Sequence, residues 1–82
     1  MISEGYTTLR YARIGTHLRL IQIHVEPVLC NRLREMGLCE TISFRKISDG
    51  ICLVCWVCGV RIALSHQLAD KIIVAPWEEA AV

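Results

Sequence analysis

Hydrophobic and polar residues alternate along two stretches of the chain, which predicts β-strands with one buried face. In the stretch 17–25, Leu18, Leu20, Gln22 and His24 lie on one side and His17, Arg19, Ile21, Ile23 and Val25 on the other, so both faces of this strand are expected to be partly covered. The stretch 41–47 alternates in the same way. Ile42, Phe44 and Lys46 lie on one side, opposite Thr41, Ser43, Arg45 and Ile47.

Three further segments, 51–58, 60–64 and 72–76, are rich in the β-branched and aromatic residues that favour strands. Residues 48–50, Ser-Asp-Gly, supply a hairpin turn before the first of them, and Gly59 supplies the next. Pro76 breaks the last strand. The sequence therefore predicts about five short strands.

The period changes to that of a helix between the first two strands. Pro27 suits a first helical turn, and the inward stripe of this helix comprises Leu29, Leu33 and Met36. Gly37 fits the left-handed residue that ends a helix, and Leu38 can then fold back on Leu33. Shorter helical turns are predicted after Thr7 or Thr8, ahead of Gly15, and after Ser65.

Five strands joined mostly by tight turns, with one helix between the first two, predict a mainly β fold, a small barrel. The 82 residues suit one domain at 7–75, with a flexible N-terminus at 1–6 and a flexible tail at 76–82. The longest uncharged apolar run, 51–60, is about half the length of a membrane-spanning helix. Residues 1–10 lack a secretory signal, so a cytoplasmic location is expected.

The formal net charge is +1, and the nine basic residues are spread along the chain. A nucleic-acid partner is not expected, because such binders concentrate positive charge on one face. The sequence also contains no serine, histidine and aspartate set with catalytic spacing and no phosphate-binding glycine loop. Enzymatic activity is therefore not expected.

Three segments together resemble the FeoA family, the ferrous iron transport protein A. They are "TLRYARIGTHLRLIQI" (8–23), "RLREMGL" (32–38) and "GVRIALSHQLADKIIV" (59–74), and the resemblance covers residues 7–75. The chain departs from the family pattern at Cys39-Glu40-Thr41, where the family commonly has a glycine. It departs again in the turn at 48–50, where the family has proline and glycine.

This resemblance implies a five-stranded SH3-like barrel that is not an enzyme and that supports ferrous iron uptake. The implied partner is the cytosolic part of a FeoB-type membrane permease. Grooves of this fold bind through apolar patches with a polar rim, so partner contacts are expected near the helix end and after the fourth barrel strand. The predicted contact residues are Arg34, Glu35, Gly37, Leu38, Ser65, His66 and Gln67.

Cysteines recur at every third position in the segment 51–59. On a straight strand Cys52 and Cys58 would share one face about 20 Å apart, with Cys55 on the other face, too far to share a metal. Packing as small apolar side chains is therefore expected, with no cofactor required. The alternative is a bent "CWVCG" segment, a small metal-binding or metal-sensing site for Fe(II) or Zn(II) formed by Cys55 and Cys58 with Cys39 or His66.

The remaining chemistry-bearing residues have simpler interpretations. His17, His24 and His66 are expected on the polar surface. Trp56 is expected in the core or at its rim, and Trp77 is expected to be exposed. Self-association through an exposed strand edge is a further hypothesis.

Overall fold

The computed structural model describes residues 6–77. The elements in chain order are β1 (Thr7–Thr8), a 3₁₀ turn (Leu9–Tyr11), β2 (His17–Ile23), α1 (Pro27–Glu35), β3 (Ser43–Asp49), β4 (Leu53–Val57), β5 (Val60–Leu64), α2 (His66–Ala69) and β6 (Ile72–Pro76). Most of the two predicted flexible ends, 1–5 and 78–82, lies outside the described residues. Of the predicted C-terminal tail, the structure describes Pro76, which ends β6, and Trp77, whose ring stacks on His17.

All six strands form one antiparallel sheet in the order β1-β6-β2-β3-β4-β5. The predicted mainly β class and the five longer strands are confirmed, but the strand count is one too low. The additional strand, β1, is two residues long and pairs Thr7 with Val74 and Thr8 with Ile73. A segment of two residues has no period to detect, so only its tertiary partner reveals it.

The inward face of the sheet, the two helices and the 3₁₀ turn share one hydrophobic core. Its largest fully buried apolar side chains are Leu9, Leu18, Leu20, Leu38, Leu53, Ile72, Val57, Val74 and Cys55. Lys46 is the one charged residue buried among the described residues. The alternation that placed Lys46 on the same side of the strand as Phe44 is therefore confirmed, because both are buried, although a lysine in the core is unusual.

A β-bulge in β2 reverses its inside-outside pattern. Leu20 pairs with Val74, but the next residue of β6, Ile73, pairs with Gln22, so β2 contains one extra residue between the two pairs. Beyond the bulge Ile23 is buried and Gln22 is exposed. Strict alternation grouped Ile23 with Arg19, on the side opposite Leu18, whereas in the structure Ile23 and Leu18 are both buried because a bulge shifts the phase by one residue.

The end of α1 has the predicted cap. Gly37 has a φ of 106°, its N–H donates to Arg34 O at 3.0 Å, and the Leu38 N–H donates to Leu33 O at 2.9 Å. These two hydrogen bonds define a Schellman motif and draw Leu38 into the core. Met36, predicted to face inward, is largely exposed, because it is the capping residue beyond the last full helical position.

The hairpins around β4 are displaced from their predicted positions. β3 continues to Asp49, so the first turn comprises residues 50–52 and contains Cys52. The second turn comprises Cys58 and Gly59, both with positive φ, as a two-residue hairpin turn requires. The prediction of a strand over 51–58 is thus too long at both ends, and Leu53–Val57 alone is extended and paired.

Within residues 6–77, neither helix is long and apolar enough to cross a bilayer.

Candidate functional site

The three cysteines of the segment 51–59 lie in three different environments. Cys55 faces the core and is fully buried, Cys58 is exposed in the β4–β5 turn, and Cys52 is half-buried in the turn before β4. Burial raises the pKa of the Cys55 thiol to about 12. A metal ligand must be the thiolate, so this neutral, enclosed thiol is a poor donor.

The alternative metal set is not assembled in the described part of the chain. Residues 6–77 contain no group of three His, Cys, Asp or Glu side chains that could hold a metal ion. His66 is engaged instead by Asp49, with 2.6 Å between Nε2 and Oδ1. Cys39 is half-buried and has a free thiol.

A polar network connects the 3₁₀ turn, β3 and α2. The Lys46 ammonium, 1% exposed as a residue, donates to three backbone oxygens, those of Leu9 at 3.2 Å, Arg10 at 3.0 Å and Ala12 at 2.8 Å. Its charge is balanced by Asp49 Oδ2 at 3.1 Å. The hydrogen bond from His66, then that from Lys46, lowers the pKa of the Asp49 carboxyl. Lys46, Asp49 and His66 each have a hydrogen-bonding or ionic partner within the protein, so this network stabilises the fold and leaves no reactive group exposed.

The outer face of the sheet carries a row of aromatic and cationic side chains. His17 is paired in register with Arg45, Arg45 with Trp56, and Trp56 with Arg61. Trp77 extends the row at its other end, because its ring stacks on His17 with the ring centroids 5.7 Å apart. We call these five residues the outer row.

Trp56 lies at the centre of this outer surface. The residue is 45% exposed, so its predicted place in the core or at its rim is wrong. It points outward because Cys55 and Val57, its neighbours on β4, both point inward. Trp77, 38% exposed, and the exposed His17 and His24 are on the surface as predicted.

An open cleft of about 540 Å³ lies along the outer row. Its lining includes His17, Ser43, Arg45, Ile47, Trp56 and Cys58. Phe44 of β3 and Gly59 of the β4–β5 turn complete the lining of the cleft. The cleft therefore combines apolar contact area with cationic groups.

Among residues 6–77, the outward strand residues from β2 to β5 include arginines but no carboxylates. Its strand residues in outward register are His17, Arg19, Ser43, Arg45, Val54, Trp56, Arg61 and Ala63. Within residues 6–77 the arginines that form ion pairs are Arg10, with Asp70, and Arg34, with Glu40, both at 3.0 Å. The three arginines of the outer face are thus available to an external anion.

The structure separates the predicted partner-contact residues into two groups. Gly37 lies close to Val57 and Cys58, which places the end of α1 beside the β4–β5 turn of the cleft. Arg34 and Glu35 are exposed near this end, and the Glu40 carboxylate raises the pKa of Arg34. Leu38 is fully buried and therefore cannot contact a partner directly.

The second group lies on α2. Ser65 Oγ accepts from the Leu68 N–H at 3.1 Å, which confirms the predicted helix cap. His66 contacts Asp49, and Gln67 lines a separate cavity of about 240 Å³ beside the start of α1.

Sequence patterns alone did not select the outer row. The signal that could have found it is an arginine on the outward-facing side of each of three predicted strands, at positions 19, 45 and 61.

These features define a small β domain with an exposed cationic and aromatic face. Among the described residues there is no gathered set of metal ligands. A surface that combines tryptophan with arginine is suited to binding.

Comparison with solved structures assigns the fold more narrowly. The chain superposes on the iron uptake regulatory protein FeoA with a TM-score of 0.79 and 21% identity, covering 88% of this chain and 97% of that one. It superposes on FeoA from Chlorobium tepidum with a TM-score of 0.78 and 17% identity, covering 92% and 76% of the two chains. The fold is therefore the SH3-like fold of FeoA proteins, as the sequence resemblance predicted.

The same fold occurs as part of longer regulators. The chain matches IdeR of T. acidophilum with a TM-score of 0.80 and 17% identity over 94% of this chain, but over 37% of that protein. At the level of sequence, no family model and no curated protein matches this chain.

Proposed function

We propose that this chain is an accessory protein of ferrous iron transport that acts in the cytoplasm by binding a FeoB-type membrane permease. The observation that carries the proposal is the match to FeoA, in which 97% of the FeoA chain is covered. The likeness therefore extends over almost a whole FeoA protein, whereas it covers 37% of the longer regulator IdeR.

The surface chemistry supports a binding role without catalysis. The cleft along the outer row is open and combines Trp56 with Arg45, which suits contact with another protein. Tryptophan and arginine are the residue types most enriched at the energetic centres of protein interfaces. The polar network of Lys46 and Asp49 is satisfied internally and offers no nucleophile.

The partner proposal can be tested with purified components. The full chain is titrated into the cytosolic region of the FeoB-type permease from the same organism, and binding is followed by isothermal titration calorimetry. We expect saturable heat of binding with the permease region and none with an unrelated GTPase. No heat with the permease region, from a chain shown to be folded by circular dichroism, would refute the partnership.

We further propose that the fold requires no bound metal. The absence of a three-ligand group in residues 6–77 supports this view. Prolonged EDTA treatment is then expected to leave the near-ultraviolet circular dichroism unchanged, and Co(II) is expected to produce no thiolate absorption with the reduced chain. Loss of the tertiary signal in EDTA would contradict the proposal.

A further inference from the structure

We propose that the outer face of the sheet, centred on the outer row, is a docking site for an acidic, extended segment of a partner protein. The inference rests on the proposed function only in taking the partner to be a protein. It identifies a surface different from the helix end and α2, which the sequence had suggested.

The spacing of the two arginines in the row sets the shape of the ligand. Arg45 and Arg61 lie on either side of Trp56 in adjacent strands. Neighbouring strands are about 4.8 Å apart, so the two arginine backbones are separated by about 10 Å across the tryptophan. A polyproline II segment repeats every three residues with about 3.1 Å per residue, so it presents one side chain on the same face every 9 Å or so.

An extended segment with a carboxylate at every third residue can therefore reach both guanidinium groups from one side. Guanidinium groups bind carboxylates in a bidentate geometry that lysine cannot reproduce. The residues between the carboxylates would lie over the Trp56 ring and in the adjoining cleft, where Ile47 supplies further apolar surface.

The charge of the face determines the sign of the ligand. Arg19, Arg45 and Arg61 lie in outward register with no carboxylate among the strand residues beside them. The net charge of the chain is only +1. This face is therefore a local concentration of positive charge on a nearly neutral protein, which favours an anionic partner and directs its approach.

A peptide fits this surface better than a nucleic acid. A strong nucleic-acid site neutralises several phosphates along a continuous track, commonly about six or more. Here three arginines and His17 lie on one short face of the sheet. Of these four residues, Arg45 and His17 line the cleft, together with Cys58 of the β4–β5 turn. Such a surface suits a few carboxylates on a short segment.

The direct test uses a synthetic peptide of repeated Glu-Pro-Pro units, which stays extended and does not self-associate as a strand. The matched control peptide has glutamine in place of glutamate. The two tryptophans of the chain, Trp56 and Trp77, both lie in the outer row, so intrinsic fluorescence reports binding without a label. We expect saturable quenching or a spectral shift with the acidic peptide, weakened by salt, and no response to the glutamine peptide.

Charge reversal locates the site. The double variant Arg45→Glu with Arg61→Glu is expected to weaken binding of the acidic peptide by about tenfold or more, because each substitution replaces attraction to a carboxylate with repulsion. The control variant, Arg32→Glu with Lys71→Glu, changes the net charge equally at exposed positions on α1 and after α2. It should retain the affinity of the wild type, and circular dichroism should show that both variants are folded.

The results separate this inference from the proposed function. Equal loss of affinity in both double variants, or tighter binding of single-stranded oligothymidine than of the acidic peptide, would overturn the docking site. If the double variant Arg45→Glu with Arg61→Glu binds both the permease region and the acidic peptide as well as the wild type does, the docking site is wrong and the proposed function stands. If the acidic peptide binds but the permease region does not, the docking site stands and the proposed function falls.

Discussion

Lys46 is an example of a charged side chain that serves as a structural member of a small hydrophobic core. The aliphatic part of its side chain lies on the core face of β3, and its ammonium group donates hydrogen bonds to three carbonyl oxygens in and after the 3₁₀ turn. Leu9 O also accepts from the Ala12 N–H at 3.3 Å, so the ammonium matters most to the Arg10 and Ala12 carbonyls. A buried carbonyl without a donor is costly. One lysine thus attaches the N-terminal turn to the sheet.

We expect Lys46→Met to lower the free energy of unfolding by about 2–4 kcal/mol. The backbone carbonyls lose the ammonium donor and the Asp49 carboxylate loses one of its two partners, whereas methionine nearly keeps the length of the side chain. Urea denaturation followed by circular dichroism measures the change. The exposed Lys71→Met is the matched control and should change stability little. A Lys46→Met protein as stable as the wild type would show that the network is dispensable.

Asp49 gives the fold a defined response to acid. Its folded pKa is lowered below 3.8, the ordinary value, by His66 and then by Lys46. The ionised carboxyl therefore contributes stability that is complete above 3.8 and is lost as the pH falls through the lower folded value. Asp49→Asn should be less stable than the wild type at neutral pH and should show a shallower loss of stability at acidic pH.

Thermal unfolding from neutral pH to below 3.8 measures this difference. Glu26→Gln, which removes an exposed carboxyl with no ion pair among residues 6–77, is the control and should keep the acid response of the wild type. An unchanged acid response in Asp49→Asn would rule out the assigned role.

The cysteines should differ sharply in reactivity. Cys58 is exposed in a turn, whereas Cys55 is buried and burial raises its pKa to about 12. Because the thiolate is the nucleophile, iodoacetamide should modify Cys58 rapidly and Cys55 only after unfolding. Peptide mass spectrometry after timed labelling, with a urea-unfolded sample as the reference, measures the two rates. Equal rates in the native protein would contradict the inward orientation of Cys55.

At the scale of the elements, the helix end depends on one glycine. Gly37 has a φ of 106°, and a Cβ placed there would lie 3.4 Å from Val57 Cγ1. The backbone conformation therefore disfavours a side chain, whereas the distance to β4 is an ordinary van der Waals contact.

We expect Gly37→Ala to lower the free energy of unfolding by about 1–2 kcal/mol, the typical cost of a left-handed residue with a side chain. Gly50→Ala is the matched control, because a Cβ at Gly50 meets nothing within 4 Å. Chemical denaturation of both variants compares them. A Gly37→Ala protein no less stable than the Gly50→Ala protein would show that the Schellman cap tolerates a side chain.

The elements with local signals were predicted well. Pro27 begins α1, Ser65 caps α2, and Gly37 and Leu38 end α1 through hydrogen bonds between residues close in sequence. The β-bulges were not predicted, because an extra residue in β2 or β3 is defined by its partner strand. The position of the turn before β4 was missed for the same reason.

At the scale of the whole molecule, the FeoA-like fold followed from the order and spacing of three segments, and comparison with FeoA structures agrees with it. The candidate site did not follow. Arg45, Trp56 and Arg61 are separated along the chain, and only strand pairing places them side by side. The exposure of Trp56 likewise depends on which face of β4 meets the core.

The amino-acid sequence by itself determined the periodic segments, the helix caps and the small, mainly β architecture, since each depends on residues a few positions apart. The tertiary structure alone decided the sixth strand, the burial of Lys46 and Cys55, and the assembly of the outer row. These features depend on register between strands that are distant in sequence, and one bulge is enough to change which side of a strand meets the core.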